Sequence, residues 1–192
     1  MSFLPALAAG RALPRAAVAV LIGLALMCDA DAQGRVQAER RLELTNLHGG
    51  DSVTVTFHDA HDISPPDRAA LRHLLRDYRR NEEHEMDAGL FMQLTDLARD
   101  CGVPAKYEVI SGYRAPSTNG MLRATGHHVA EHSQHMAGHA IDVRLKDCPL
   151  ARLHELALAA RRGGVGYYPR SNFVHVDTGR VRSWQDEGSA KP

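Results

Sequence analysis

The sequence predicts an α+β fold: one domain over residues 33–185, with a mostly antiparallel or mixed central sheet flanked by helices and opening on a β-hairpin. Three observations carry that expectation. Apolar residues alternate on both sides of Gly49-Gly50-Asp51, two stretches then repeat them every three or four positions, and later alternating runs are separated by further helical ones. A chain of 192 residues is long enough for one buried core of ordinary size.

In order, Leu42 and Leu44 before the turn and Val53, Val55 and Phe57 after it form the hairpin. Ser64-Pro65-Pro66-Asp67 stops the second strand and starts a helix with Leu71, Leu74, Leu75 and Tyr78 inward, leaving Arg72, Arg76, Arg79 and Arg80 to solvent. Asp87 caps a second helix that buries Leu90, Phe91, Leu94, Leu97 and Cys101 and closes at Gly102. Residues 107–110 read as a strand, and Pro116 precedes a short helix over 118–123. The segment 126–138 carries His127, His128, His132 and His135 without a period and is read as loop. Residues 139–145 alternate as a strand, 149–162 form an amphipathic helix on Leu150, Leu153, Leu156 and Leu158, and 165–168 and 173–177 add two strands. Tyr167 and Tyr168 are expected to pack rather than line a cleft, Trp184 is expected to cover the C-terminal core, and the tail 186–192 is expected to be disordered.

Residues 1–32 stand outside that fold. Arg11 and Arg15 precede an apolar run over 16–27, and Ala30-Asp31-Ala32 places small residues where a signal peptidase reads, so a secretory leader cut before Gln33 is expected. The run is short for a permanent span, which needs about 20 apolar residues. Cys28 offers a less favoured alternative, a lipid-attachment cysteine, because bulky Met27 precedes it. Export would place the protein in the periplasm or cell envelope. Of 23 basic and 23 acidic residues, 21 of each remain once Arg11, Arg15, Asp29 and Asp31 are removed. That balance gives no field for nucleic acid or anionic lipid. Nucleotide-binding glycine motifs are absent. Cys101 and Cys148 form either a disulfide or two separate small apolar side chains; neither lies in a CxxC pair. A monomer is expected.

Chemistry concentrates in two stretches, Ser133-Gln134-His135-Met136-Ala137-Gly138-His139-Ala140-Ile141-Asp142 and Phe173-Val174-His175-Val176-Asp177. Strand alternation sets Asp142 on the face opposite His139, whereas His135, on the loop, is able to turn back at Gly138. His175 supplies a third ligand and shares its face with Asp177. Two imidazoles and a carboxylate leave a tetrahedral zinc one position for water, whose pKa then falls toward about 7. Such a centre belongs in a surface cleft and performs hydrolysis.

These residues resemble a known family. Ser133-x-His135-x-x-Gly138-x-Ala140-x-Asp142 is similar to the signature of the zinc D-alanyl-D-alanine peptidase (LAS) superfamily. Within it, the stretch from Leu42 to Trp184 resembles the MepK (YcbK)-like murein endopeptidases through Ile110-Ser111-Gly112-Tyr113-Arg114, Gly163-Gly164-Val165-Gly166-Tyr167-Tyr168-Pro169, Phe173-Val174-His175-Val176-Asp177-Thr178-Gly179 and Arg182-Ser183-Trp184. The resemblance implies His135, Asp142 and His175 as zinc ligands. It implies Arg114 as the cation that meets an oxyanion or substrate carboxylate, and Ser133 and Tyr113 as substrate contacts. Asn172 departs from the pattern, because relatives place an acidic base three residues before the last histidine. Asp177 is then expected either to take a proton from water or to orient His175, with Glu131 as the remaining candidate base. The activity implied is hydrolysis of peptide cross-links between peptidoglycan stem peptides, of D,D or L,D type. A D-alanyl-D-alanine carboxypeptidase and a non-catalytic zinc-stabilised peptidoglycan-binding module are the alternatives.

Overall fold

Residues 38–125 and 129–186 are described by the computed structural model. The expected leader, Cys28, His127, His128 and residues 187–192 of the tail lie outside them. The hairpin is β1 (Arg40–Asn46) and β2 (Ser52–Phe57), followed by α1 (Pro65–Leu74), α2 (Ala88–Cys101), β3 (Lys106–Ser111) and α3 (Pro116–Ala124). A short 3-10 turn (Gln134–Ala137) then leads into β4 (Ala140–Leu145), α4 (Leu150–Ala160), β5 (Gly164–Tyr168), β6 (Phe173–Asp177) and β7 (Arg182–Gln185). The described strands form one open mixed sheet in the order β2-β1-β3-β4-β6-β5-β7. Parallel pairing joins β1 to β3 and β5 to β7, and the other neighbours are antiparallel.

Alternation along the strands decides which face is covered. Leu42 and Leu44 of β1, Ile141 and Val143 of β4 and Val174 and Val176 of β6 are fully buried in one core with Leu90 and Leu94 of α2 and Leu153 of α4. Helices α2 and α4 pack on each other and between them touch β1, β4, β5 and β6. Each such aliphatic side chain contributes about 1.5–3 kcal/mol when removed from water. The opposite face of β4, carrying Asp142, is thereby left for chemistry.

The helix ends follow their capping residues. Ser64 Oγ accepts from Asp67 N with prolines at the first helical positions of α1, and Asp87 accepts from Gly89 N at the start of α2, which closes at Gly102 with φ 77°. α1 stops earlier than its apolar period suggests. The Leu75 carbonyl accepts from Tyr113 N at 2.8 Å, and Asp77 Oδ1 accepts from Arg79 N and Arg80 N, turning the chain. Tyr78 therefore lies outside the helix, 41% exposed and stacked on His48 at 3.6 Å.

Cys101 and Cys148 form a disulfide, tying the end of α2 to the approach to α4 across a Cα separation of 6.3 Å. Asp96 of α2 gathers Arg40, Arg99 and Arg162 at 2.7, 2.7 and 2.6 Å, linking β1 and the end of α4 to the same helix. Besides α1, two elements differ from expectation. Part of the segment read as loop is the 3-10 turn, and the 182–185 stretch is an edge strand whose half-exposed residues show no apolar alternation.

Candidate metal centre and its cleft

His135 reaches the site from the 3-10 turn. Ser133 Oγ accepts from His135 N at 3.4 Å to start the turn, and Gly138 ends it in the left-handed region at φ 70°. A side chain at 138 would be strained there, and its Cβ would fall 2.2 Å from the Glu85 carbonyl. Asp142 and His175 are direct partners across the antiparallel β4–β6 pair. All three side chains are buried, at 3%, 6% and 6% exposure, and their ligating atoms converge. His135 Nε2 lies 3.1 Å from His175 Nδ1 and 3.3 Å from Asp142 Oδ1, which is 2.9 Å from His175 Nδ1.

The outer hydrogen bonds decide which nitrogens carry protons. His135 Nδ1 lies 2.7 Å from the Gly112 carbonyl, which only accepts, so Nδ1 is protonated and Nε2 presents a lone pair. His175 Nε2 faces Asp177 Oδ2 at 3.2 Å and donates to it, leaving Nδ1 as a lone pair. With both rings neutral, two lone pairs and a carboxylate point at one spot, a repulsive set that a cation relieves. Metal–nitrogen lengths of about 2.0–2.1 Å in a tetrahedron put ligand atoms about 3.3 Å apart, close to the spacings found. The cluster is one that could hold a metal ion.

Electrostatics agree with that donor set at Asp142 and His135, whereas at His175 the two neighbouring carboxylates favour the protonated ring. Burial pushes the Asp142 carboxyl up, but His135 and His175 outweigh burial and hold it well below the ordinary carboxylate range. Burial pushes His135 down, keeping it neutral against the opposing charge of Asp142. For His175, burial acts downward, yet hydrogen bonds to Asp142 and Asp177 raise it overall.

Asp177 is fully buried behind His175. Its Oδ1 accepts from Gly164 N, Gly179 N and Arg182 Nη1 at 2.7, 2.9 and 3.2 Å, and its Oδ2 accepts from His175 Nε2 and from Arg182 Nη2 at 2.6 Å. Burial opposes ionisation there, and His175, Arg182 and the two amides override it. Of the two roles expected for Asp177, this placement fits orientation of His175, since neither oxygen is open to a water in the cleft.

The cleft beside the three ligands has a volume of about 220 Å³, and Arg114, His132, Ser133, Tyr168, Arg182 and Trp184 are among its lining residues. Arg114 is anchored by its backbone N–H on the His135 carbonyl at 3.2 Å and by its guanidinium on Asn119 Oδ1 at 3.4 Å. Burial lowers its pKa while the Asp142 charge opposes that shift. Asn119 Nδ2 donates to the Ala130 carbonyl at 3.0 Å, fastening α3 to the wall of the cleft.

Other expected site residues lie elsewhere. Tyr113 is buried with its ring stacked on His84 at 4.7 Å and is not among the lining residues. Glu131 is exposed and pairs with Arg123 at 3.5 Å, and His139 is exposed. Asn172 lines a second, larger concavity of about 400 Å³ with Glu43, Lys106, Glu108 and Arg144. That larger concavity contains none of the converging ligands, which line the smaller cleft. Asp142 is the only carboxylate among the described residues lining it. Tyr168, Arg182 and Trp184 reach the cleft although the sequence assigns them no chemistry there; the parallel β5–β7 pairing that brings them in leaves no local signal.

Comparison with known proteins agrees in extent with the fold. The sequence profile of the family described as peptidoglycan L,D-endopeptidase MepK matches residues 35–184. The chain is 45% identical over 145 residues to the peptidoglycan L,D-endopeptidase MepK of Escherichia coli K12, covering 76% of this chain and 80% of that protein. It is 43% identical over 147 residues to the probable peptidoglycan L,D-endopeptidase MepK of Haemophilus influenzae, covering 76% and 79%. No solved structure gives a significant match.

Proposed function

The chain belongs to the peptidoglycan L,D-endopeptidase MepK family, and on that premise we propose that it is an exported zinc-dependent hydrolase that cuts L,D-type peptide cross-links between peptidoglycan stem peptides. The observation that carries this reading is the convergence of His135 Nε2, Asp142 Oδ1 and His175 Nδ1 on one point beside an open cleft. Zinc held there would supply Lewis acidity and lower the pKa of a water. The leader expected in residues 1–32 would deliver the protein to the periplasm, where a disulfide persists.

Each remaining part belongs to the chain. The Gly112 carbonyl keeps the His135 proton on Nδ1, and Asp177, itself gripped by Arg182 and two amides, keeps the His175 proton on Nε2. Arg114 presents a fixed cation to the scissile carbonyl oxygen, where charge accumulates during attack. Ser133 stands at the cleft wall to meet the substrate backbone. The missing acid at Asn172 is the feature that favours a binding module.

The deciding experiment incubates the purified protein with defined L,D- and D,D-cross-linked muropeptide dimers, with zinc or with chelator, and identifies products by mass spectrometry. Cleavage of the L,D dimer that chelation abolishes is expected. Release of terminal D-alanine alone would point to a carboxypeptidase. No product from zinc-loaded protein, with His135→Ala altering only the melting temperature, would point to the binding module.

A further inference from the structure

Tyr168 ends β5 with its ring stacked on Phe173 of β6, the centroids 4.3 Å apart at 17°. Its hydroxyl accepts a hydrogen bond from Trp184 Nε1 at 2.8 Å. Trp184 lies on β7 directly over Gly166, where a Cβ would come within 2.6 Å of the indole. The same indole is 5.0 Å from the His175 ring and carries the Arg182 guanidinium at 5.0 Å on its face. Trp184 is therefore seated by groups that also fix His175.

An indole N–H only donates, so it occupies a lone pair of the Tyr168 oxygen and leaves the phenolic O–H to turn elsewhere. Burial raises the Tyr168 pKa, Asp142 and Asp186 add to the rise, and the Trp184 bond and Arg114 oppose it, so the phenol keeps its proton. Tyr168, Asp142 and Arg114 line one cleft, in which Asp142 is the only carboxylate among the described residues. A protonated donor and a cation lining one cleft suit a group that becomes negative only during the reaction.

We propose that Tyr168 is a catalytic residue that donates its O–H hydrogen bond to the scissile carbonyl oxygen as negative charge develops there, beside Arg114, with Trp184 a positioning residue acting through it. The phenol keeps its proton throughout, and no bond in it breaks. This inference rests on the hydrolase reading of the same cleft.

The test compares zinc-loaded full-length wild type with Tyr168→Phe, Trp184→Phe and the double variant on a defined L,D-cross-linked dimer. Tyr168→Phe is expected to lower kcat about 10²–10³-fold, the cost of one lost oxyanion donor, with KM within about twofold. A phosphinate pseudopeptide of the cross-link, which mimics the tetrahedral state, should bind Tyr168→Phe weaker by a similar factor, with zinc content and melting temperature unchanged. Trp184→Phe should lose less, and the double variant no more than Tyr168→Phe alone. A Tyr168→Phe kcat within threefold of wild type, or a loss confined to KM, overturns the role while leaving the hydrolase reading intact. Loss of zinc or of fold in Tyr168→Phe makes the residue structural and overturns it too. Wild type that yields no product overturns both readings together.

Discussion

Asp177 lies two positions from His175 on the same strand face, and sequence alternation leaves it equally able to face solvent or the ligand. What decides between these is non-local: Gly164, Gly179 and Arg182 saturate its oxygens and leave only the contact to His175 Nε2. Asp177→Asn preserves the shape but removes the charge that holds the His175 proton. We expect it to weaken zinc affinity about 10–100-fold, measured by competition with a chelator, as outer partners of metal-bound histidines do. A variant with wild-type affinity and a collapsed kcat would instead make Asp177 the base. His135, Asp142 and His175 were legible as a set from the two motifs that carry them, whereas the strand pairing that makes them converge was not. Tyr113 was not legible as a stacked, buried ring, since its partner His84 is remote in sequence and lies in an irregular segment.

Helix α2 was readable to its last residue because its cap, stripe and closing glycine are all local. By contrast β7 has neither apolar alternation nor a turn signature, and its pairing with β5 places Trp184 and Arg182 at the cleft. The disulfide that anchors α2 closes a loop whose ends are 47 residues apart. Replacing Cys101 and Cys148 by serine is expected to lower stability by about 2–4 kcal/mol in denaturant melts. Asp96, on the same helix, ionises more readily folded than unfolded: burial opposes this, but Arg40 and Arg162 hold its carboxyl below the usual value. Its stabilisation is therefore full above the unfolded value of about 3.9 and fades as pH falls through the lower folded one. Asp96→Asn should cost roughly 2 kcal/mol at pH 7, and the gap to wild type should close as pH drops below about 4. A gap that widens on acidification would contradict that sign.

At the scale of the molecule, the sheet separates stability from chemistry. α2 and α4 cover the face with Ile141 and Val143, and Asp142 between them points to the other. The α+β class and the mixed sheet were legible from the order of elements. The strand order β2-β1-β3-β4-β6-β5-β7 was not, because parallel pairing of β1 with β3 joins segments separated by two helices. That order makes β4 and β6 neighbours and so brings Asp142 opposite His175.

Whether this convergence holds the metal used in cross-link cleavage is decided by measuring zinc stoichiometry and L,D-dimer cleavage on the same samples. Wild type should bind one zinc per chain and cleave, while His135→Ala, Asp142→Asn and His175→Ala should each lose both together. Cleavage that survives in any zinc-free ligand variant, or zinc retained at full affinity in all three, would contradict it.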